Sequence, residues 1–391
     1  MDYALTDLAA NVVNALRFSP PDYLRSITGR PSTWYAPGLP PTEIKALDPA
    51  RPLETLNTLR QAVIPSWPGR PNWLPDGPVV DYLFRPSSVD QYPRHSLDAM
   101  TGEGESWMFL NGICTDMAVA DINAASINAL FGLPVLTQLH NQTHGAAIDL
   151  AECALGKGWL ASTEAVWRLF PAFYSELLRP DISKVILLAH SQGTILTGVF
   201  LSLLKKLKGL PLADMPEARK AEAMLDRRAP TNKKLWVLEP GTGLKGANLR
   251  KVSQGPQELL WLDWKPGSAL GLPPITEAQV RKLEVYCFAT CATHMPYLFE
   301  GESPAPYIEH FGNARDLVAR MGLFAPKTGP GRTEIAGLRF IRRRGWGHLL
   351  NAHYLNVLAE QWQQGREDGF FDPDNPARLS RLSGYHARAL V

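Results

Sequence analysis

Short runs of consecutive apolar residues alternate with longer segments whose apolar residues recur at helical spacing, from about residue 105 onward. The short runs predict strands and the longer segments predict helices. Predicted strands cover residues 107–110, 134–139, 185–189, 235–238, 283–289, 307–311 and 338–342, and predicted helices cover 115–131, 148–178, 195–207 and 349–363. Apolar strands separated by helices are typical of a mostly parallel sheet covered on both faces. The sequence therefore predicts an α/β fold.

The first hundred residues have a different character. Fifteen of the 33 prolines lie within residues 1–95. Proline interrupts regular elements, so we expect residues 1–100 to form an arm packed on a core domain of residues 101–391. Two further segments, 208–232 and 241–280, interrupt the alternation of strands and helices. We interpret them as a candidate cap over a site.

Composition and charge limit the kinds of molecule and the cellular environment that we expect for this protein. Lys and Arg total 40 against 38 for Asp and Glu, a formal charge of +2, which gives no overall field for a nucleic acid. No run of about 18 apolar residues occurs, so no transmembrane segment is predicted. Four cysteines are too few for a disulfide scaffold, and Cys287 and Cys291 are expected on one strand, about 13 Å apart. A reduced, cytoplasmic protein fits this composition, and the oligomeric state has no signal in the sequence.

The sharpest local pattern is KVILLAHSQGTIL, residues 184–196, in which an apolar strand leads through Ser191 directly into a helix. Such a turn lifts the serine hydroxyl clear of the sheet, where an imidazole can take its proton and the next backbone N–H can face a developing oxyanion. Gly193 allows the backbones to approach, while Ala189 stands where the pattern commonly has glycine. On this motif, residues 105–360 resemble the α/β-hydrolase superfamily, in particular its lipase- and esterase-like members. The simpler interpretation makes Ser191 the N-cap of an ordinary helix.

The resemblance implies the chain order serine, acid, histidine. Asp316 follows the predicted strand 307–311 and is expected to be the acid; its other interpretation is an N-cap of the helix that begins at Leu317. Glu239, at the end of predicted strand 235–238, and Asp263, in the candidate cap, are alternative acids.

Two histidines are candidates for the base. His348 follows two glycines, Gly345 and Gly347, which allow its loop to bend toward Ser191, and the resemblance places the base in such a loop. His353 lies five residues further on, within the last predicted helix. It stays an alternative base, although packing or hydrogen bonding is the role we expect for it.

The predicted strand 107–110 ends in Asn111-Gly112-Ile113. By resemblance, the backbone N–H of Gly112 or Ile113 would form an oxyanion hole together with the backbone N–H of Gln192. The alternative is an ordinary turn.

Three other patterns are weaker. The glycines of residues 241–246 match a dinucleotide fingerprint but lack the helix that should follow. His140 and His144 have the spacing of metal ligands but lack the accompanying glutamate, so neither a metal nor any other cofactor is expected. The run from Lys205 to Lys234 has nine basic and four acidic residues, which fits a solvated helical face or a cap facing anionic lipid.

These observations predict a lipase- or esterase-like serine hydrolase with a hydrophobic acyl pocket, which cleaves a hydrophobic small-molecule carboxylic ester through an acyl-enzyme; they leave the length of the acyl chain open. A thioesterase, an acyltransferase or an amidase fits the same motifs, because a fold does not fix its substrate. A non-catalytic binding protein of this fold would be expected to have lost one of the three side chains. A nicotinamide-dependent oxidoreductase would rest on residues 241–246 alone.

Overall fold

The structure is a computed structural model of the chain. It describes residues 10, 13, 43, 93–95, 104–112, 115, 117–133, 136–141, 164–207, 235–238, 249–252, 275–329, 331–365 and 367–390. Most of the N-terminal arm and of the candidate cap, including all of 208–232, lies outside these residues.

Eleven strands lie in the described part of the chain. They are β1 (Pro93–His95), β2 (Glu105–Leu110), β3 (Thr137–Leu139), β4 (Lys184–His190), β5 (Leu235–Leu238), β6 (Leu249–Val252), β7 (Leu283–Phe288), β8 (His294–Met295), β9 (Tyr307–Asn313), β10 (Glu334–Ile335) and β11 (Leu338–Arg342). Seven of them form one sheet in the order β1-β3-β2-β4-β7-β9-β11. Every neighbouring pair is parallel except β1 with β3. The predicted α/β class with a mostly parallel sheet is confirmed.

Helices connect the strands and cover both faces of the sheet. They are α1 (Met117–Phe131), α2 (Glu164–Leu178), α3 (Gln192–Leu207), α4 (Glu277–Arg281), α5 (Leu317–Arg320), a π-helical turn (Leu350–Leu355), α6 (Asn356–Gln364) and α7 (Arg381–Ala389). Residues of α2 and α3 form one hydrophobic cluster with the strands. Residues of α1, the π-helical turn, α6 and α7 form the other. None of the helices in the described residues is long and apolar enough to cross a membrane.

The two faces of β4 show why its sequence is apolar throughout. Leu187 and Ala189 belong to the cluster with α2 and α3, whereas Ile186 and Leu188 belong to the cluster on the opposite face. Because successive side chains of a strand point to opposite faces, a strand covered on both sides has no polar positions in its middle.

Two sequence predictions need correction. The predicted strand 235–238 forms as β5, but it pairs antiparallel with β6 in a separate two-stranded sheet. The four apolar residues of β5 carry no information about their pairing partner. β6 lies in the candidate cap, where no strand was predicted, because two of its four residues are charged. Cys287 and Cys291 do not share a strand: β7 ends at Phe288, and Ala289 turns the chain with a φ of 52°. Both thiols are buried, and neither is disulfide-bonded.

Candidate active site

Ser191 occupies the turn between β4 and α3 in a left-handed conformation. Its φ is 55°, a value that L-residues other than glycine adopt uncommonly and at an energetic cost. Hydrogen bonds hold it on both sides: its N–H donates to the Phe288 carbonyl oxygen at 3.0 Å, and its carbonyl oxygen accepts from the Thr194 N–H at 2.9 Å. The strand-turn-helix predicted from the sequence therefore forms, with the serine at its tip.

Two glycines allow neighbouring backbones to approach this turn. A Cβ at Gly193 would collide with the carbonyl oxygen of Leu110, at the end of β2. A Cβ at Gly112 would lie 2.5 Å from the Cβ of Ser191. Both clashes involve atoms close to the backbone that have little freedom to move away. The end of β2 thus packs directly against the serine, and glycine at these two positions makes that contact possible.

Three side chains that follow three different strands form one hydrogen-bonded chain. Ser191 follows β4, Asp316 follows β9 and His348 follows β11. Nε2 of His348 lies 3.0 Å from Oγ of Ser191, and Nδ1 lies 2.9 Å from Oδ2 of Asp316. Since an ionised carboxylate only accepts hydrogen bonds, the ring proton belongs on Nδ1, and Nε2 is left to accept from the serine hydroxyl.

Asp316 is completely buried, with 0% of its surface exposed. Its Oδ1 accepts from the Val318 N–H at 2.8 Å and so caps α5. Its Oδ2 accepts from the Tyr354 hydroxyl at 2.7 Å in addition to facing His348. The structure thus gives Asp316 both positions considered from the sequence, helix cap and partner of the histidine. Burial, and next the proximity of Asp316, raise the pKa of Tyr354 well above its usual value, so its hydroxyl remains a neutral donor.

The loop that carries His348 is fixed through its backbone. The side-chain amide of Asn313 donates to the Gly347 carbonyl oxygen at 3.0 Å, and Nε2 of His190 donates to the His348 carbonyl oxygen at 2.8 Å. Gly347 has a φ of 95°, which favours glycine at this position. These contacts leave 14% of the His348 side chain exposed, against none of Asp316.

His353, the alternative base, does not lie beside the serine. Its Nδ1 accepts from the Leu349 N–H at 3.0 Å, and its buried ring packs against Gly347. A Cβ at Gly347 would collide with that ring. His353 lies in the π-helical turn and supports the loop, whereas His348 is the histidine within hydrogen-bond distance of Ser191.

His190, directly before Ser191, is uncharged. Burial, and next the proximity of His348, lower its pKa to about 3. Its ring centroid lies 4.8 Å from that of His348. A neutral His190 therefore places no second positive charge beside the His348 ring.

The candidate oxyanion donors lie partly within the described residues. Gln192 is the first residue of α3 and directly follows Ser191, and Gly112 lies against the serine side chain. Ile113 lies outside the described residues. The start of a helix directs backbone N–H groups outward with a partial positive charge, which suits a developing anion.

A residue of the N-terminal arm contacts the helix that follows the His348 loop. Buried Glu43 accepts from the Asn351 N–H at 2.7 Å and from the Ala352 N–H at 3.3 Å, both in the π-helical turn. Burial raises the pKa of Glu43, whereas these backbone donors oppose that rise. Nothing in the local sequence around Glu43 pointed to this contact.

The remaining sequence candidates are not brought to this site by the described structure. Glu239, Asp263, His144 and the glycines of 241–246 lie outside the described residues. His140 is buried, with Nε2 at 3.2 Å from the Thr115 carbonyl oxygen. Within the described ranges, no group of three or more His, Cys, Asp or Glu side chains has the arrangement of a metal site.

Comparisons of the chain with models of protein families, with curated proteins and with solved structures found no match.

Proposed function

We propose that this protein is a serine hydrolase of the α/β-hydrolase type that cleaves carboxylic esters through an acyl-enzyme. One observation carries the proposal: the chain of hydrogen bonds from Ser191 Oγ through the His348 ring to buried Asp316. The left-handed turn at Ser191 adds to it, because a strained nonglycine residue persists only where the surrounding structure enforces it, often at a functional site.

In the acylation half, Ser191 Oγ attacks the ester carbonyl carbon while its proton passes to His348 Nε2. The carbonyl oxygen becomes an oxyanion, which the backbone N–H of Gln192 and an N–H of the Gly112–Ile113 loop stabilise. When the tetrahedral intermediate collapses, His348 returns the proton to the leaving alcohol, and the acyl group remains on Ser191.

In the deacylation half, water takes the place of the alcohol. His348 removes a proton from the water as its oxygen attacks the acyl carbon, and then donates that proton to Ser191 Oγ as the acid leaves. Asp316 holds the Nδ1–H of the ring in both halves and stabilises the transient imidazolium. Its own hydrogen bonds, from Val318 and Tyr354, orient the carboxylate toward the ring.

We propose a hydrophobic ester as the substrate class, on the lipase- and esterase-like character of the 184–196 motif. No observation on the described residues favours a thioester or an amide over an ester.

The test is hydrolysis of p-nitrophenyl esters of rising acyl length by the wild type, Ser191→Ala and Ser202→Ala. Ser202 is the matched control, because it is a partly buried serine of α3 whose hydroxyl donates to the Gly198 carbonyl oxygen. We expect Ser191→Ala to lose a factor of about 10⁴ to 10⁶ in kcat and Ser202→Ala to resemble the wild type. A wild type that hydrolyses none of the esters, or a Ser191→Ala variant that keeps its activity, would contradict the proposal.

A further inference from the structure

Three buried amide side chains connect the strand ends beside Ser191. Asn111 follows β2, Asn141 lies two residues beyond β3, and Gln192 begins α3. Their exposed fractions are 1%, 2% and 3%. Buried amides are retained at little cost only where their donors and acceptors find partners, so the pattern of these bonds shows what each side chain holds in place.

The side chain of Asn111 hydrogen-bonds both backbone groups of Asn141, as the backbone of a neighbouring strand would. Its Oδ1 accepts from the Asn141 N–H at 2.7 Å, and its Nδ2 donates to the Asn141 carbonyl oxygen at 2.8 Å. The same Nδ2 donates to the Gly112 carbonyl oxygen at 3.0 Å. Both amide hydrogens of Asn111 are therefore used, and one side chain fixes Gly112 relative to the chain beyond β3.

Asn141 extends this connection to the residue after the serine. Its Nδ2 donates to Oε1 of Gln192 at 2.6 Å. The amides thus form a continuous path from the Gly112 peptide, which lies against Ser191, to Gln192, which follows it in the chain. Since Gly112 itself lies against the Ser191 side chain, a small displacement at either end would alter the space beside the serine.

We propose that Asn111 and Asn141 are positioning residues that hold the two sides of the oxyanion hole at a fixed separation. This inference rests on the proposed function and adds to it two residues that themselves do not touch the substrate. The donors of an oxyanion hole act through preorganisation, so their spacing must be set before the negative charge develops.

The chemistry of the amide group suits this position better than a carboxylate would. An amide both donates and accepts hydrogen bonds. The Gly112 and Asn141 carbonyl oxygens need a donor, which the amide nitrogen of Asn111 supplies. An amide is also uncharged, so it adds no repulsion toward an oxyanion developing nearby. A carboxylate of the same shape would leave both carbonyl oxygens without this donor and would place a negative charge at the end of β2.

The test compares Asn141→Ala and the isosteric Asn111→Asp with matched changes at Gln361. Gln361 bridges a backbone in the same way, since Oε1 accepts from the Phe370 N–H at 2.7 Å and Nε2 donates to the Phe370 carbonyl oxygen at 3.0 Å. Gln361→Ala and Gln361→Glu therefore control for loss of an amide bridge remote from Ser191. Steady-state hydrolysis of a p-nitrophenyl ester and inhibition by a trifluoromethyl ketone are measured for each folded variant.

We expect Asn141→Ala and Asn111→Asp to lower kcat by about 10-fold to 100-fold, less than the loss of a direct oxyanion donor, with KM little changed. The inhibition constant of the trifluoromethyl ketone should rise by the same factor, because its tetrahedral adduct places an oxyanion in the hole. A merely structural role would not change the two quantities in parallel. The Gln361 variants should keep the kcat and the inhibition constant of the wild type.

An active wild type whose Asn111 and Asn141 variants match the Gln361 controls would overturn this inference and leave the proposed function intact. A change confined to KM would overturn it equally. If Asn141→Ala does not fold, Asn141→Asp preserves the shape, replaces the donor to Gln192 by a negatively charged acceptor, and is judged by the same two readouts. A wild type without turnover and without affinity for the ketone would overturn the proposed function as well.

Discussion

The two nitrogens of His348 have different partners, and this difference defines the proposed chemistry. Nδ1 lies against a carboxylate with no exposed surface, whereas Nε2 lies against a hydroxyl. A ring that is locked in one tautomer by a buried acceptor presents its free electron pair to Ser191. In the proposed mechanism, the reactivity of the serine therefore depends on Asp316 even though the two side chains are separated by the imidazole.

Replacing Asp316 by Asn should lower kcat by about 10⁴, because an amide nitrogen facing Nδ1 favours the wrong tautomer of His348. Asp372→Asn is the control, since Asp372 is also buried and accepts from the Asp374 N–H at 2.8 Å. It should retain the turnover of the wild type. Equal losses in both variants, measured as kcat on a p-nitrophenyl ester, would indicate that Asp316 acts only as a helix cap.

The two histidines give a second contrast. His348→Ala should abolish turnover across the pH range in which the protein is folded, because no other ring lies at hydrogen-bond distance from Ser191 among the described residues. His353→Ala should keep measurable turnover and lower the unfolding midpoint, since it removes the acceptor for the Leu349 N–H. Rate profiles and thermal unfolding measure the two effects. Turnover that survives in His348→Ala and disappears in His353→Ala would reverse the assignment.

Sequence reasoning placed Ser191, Asp316 and His348 as candidates, because each follows a predicted strand in the order that the resemblance implies. It missed Tyr354, which bonds Asp316, and Asn141, which bonds Gln192 from 51 positions away. It also gave no role to His190, although this residue stands inside the quoted motif. Contacts of this kind depend on how distant segments pack, and a local pattern contains no information about them.

The junction of β4, Ser191 and α3 requires a close approach to the end of β2. Gly193 allows it, because a Cβ there would meet the carbonyl oxygens of Leu110 and Asn111, which are backbone atoms. Together with the glycine at position 112, steric room at Gly193 therefore allows the serine to lie close to the candidate oxyanion loop.

Gly193→Ala should destabilise the fold by about 1–3 kcal/mol, the usual cost of forcing an extra carbon into a packed site. Gly384→Ala is the control: Gly384 lies in α7, where an added Cβ meets nothing within 4 Å. Because alanine favours helix over glycine, this control should be neutral or stabilising by up to about 1 kcal/mol. Urea unfolding measures both, and a Gly193→Ala variant as stable as the wild type would show that the junction can relax.

Long apolar runs predicted the elements of the sheet well. The predicted strand 185–189 lies within β4, because a strand buried on both faces has no polar positions to obscure it. The predicted strand 338–342 coincides with β11, although this edge strand contains two arginines and is only partly buried. The pairing of β5 with β6 and the π-helical turn were not predicted. Partner choice and a change of helical pitch arise from packing against the rest of the molecule.

The fold as a whole brings distant segments to one edge of the sheet. Ser191 and His348 are 157 positions apart, yet the parallel strands β4, β9 and β11 end on the same side. Ligands of open parallel sheets commonly bind outside these carboxyl ends. Glu43 joins the same region from 308 positions away by accepting from the Asn351 N–H.

Replacing Glu43 by Gln should lower both stability and turnover. One carboxylate oxygen accepts from Asn351 and the other from Ala352, whereas an amide offers a single acceptor. We expect a loss of about 1–3 kcal/mol in the free energy of unfolding, the cost of an unsatisfied buried group, together with a reduced kcat. Glu277→Gln is the control, because Glu277 is an exposed residue in the first turn of α4. If urea unfolding gives the Glu43→Gln variant the same free energy of unfolding as the wild type, the stabilising role of this contact is contradicted.

The central claim is that Ser191 is a nucleophile activated by His348, and covalent labelling by a fluorophosphonate tests it most directly. The intact mass of the labelled wild type should increase by one phosphonyl group, and peptide analysis should place that group on Ser191. The adduct should be absent in Ser191→Ala and form far more slowly in His348→Ala, with Ser202→Ala labelled at the rate of the wild type. A folded wild type that forms no adduct, or one labelled at a different residue, would contradict the account.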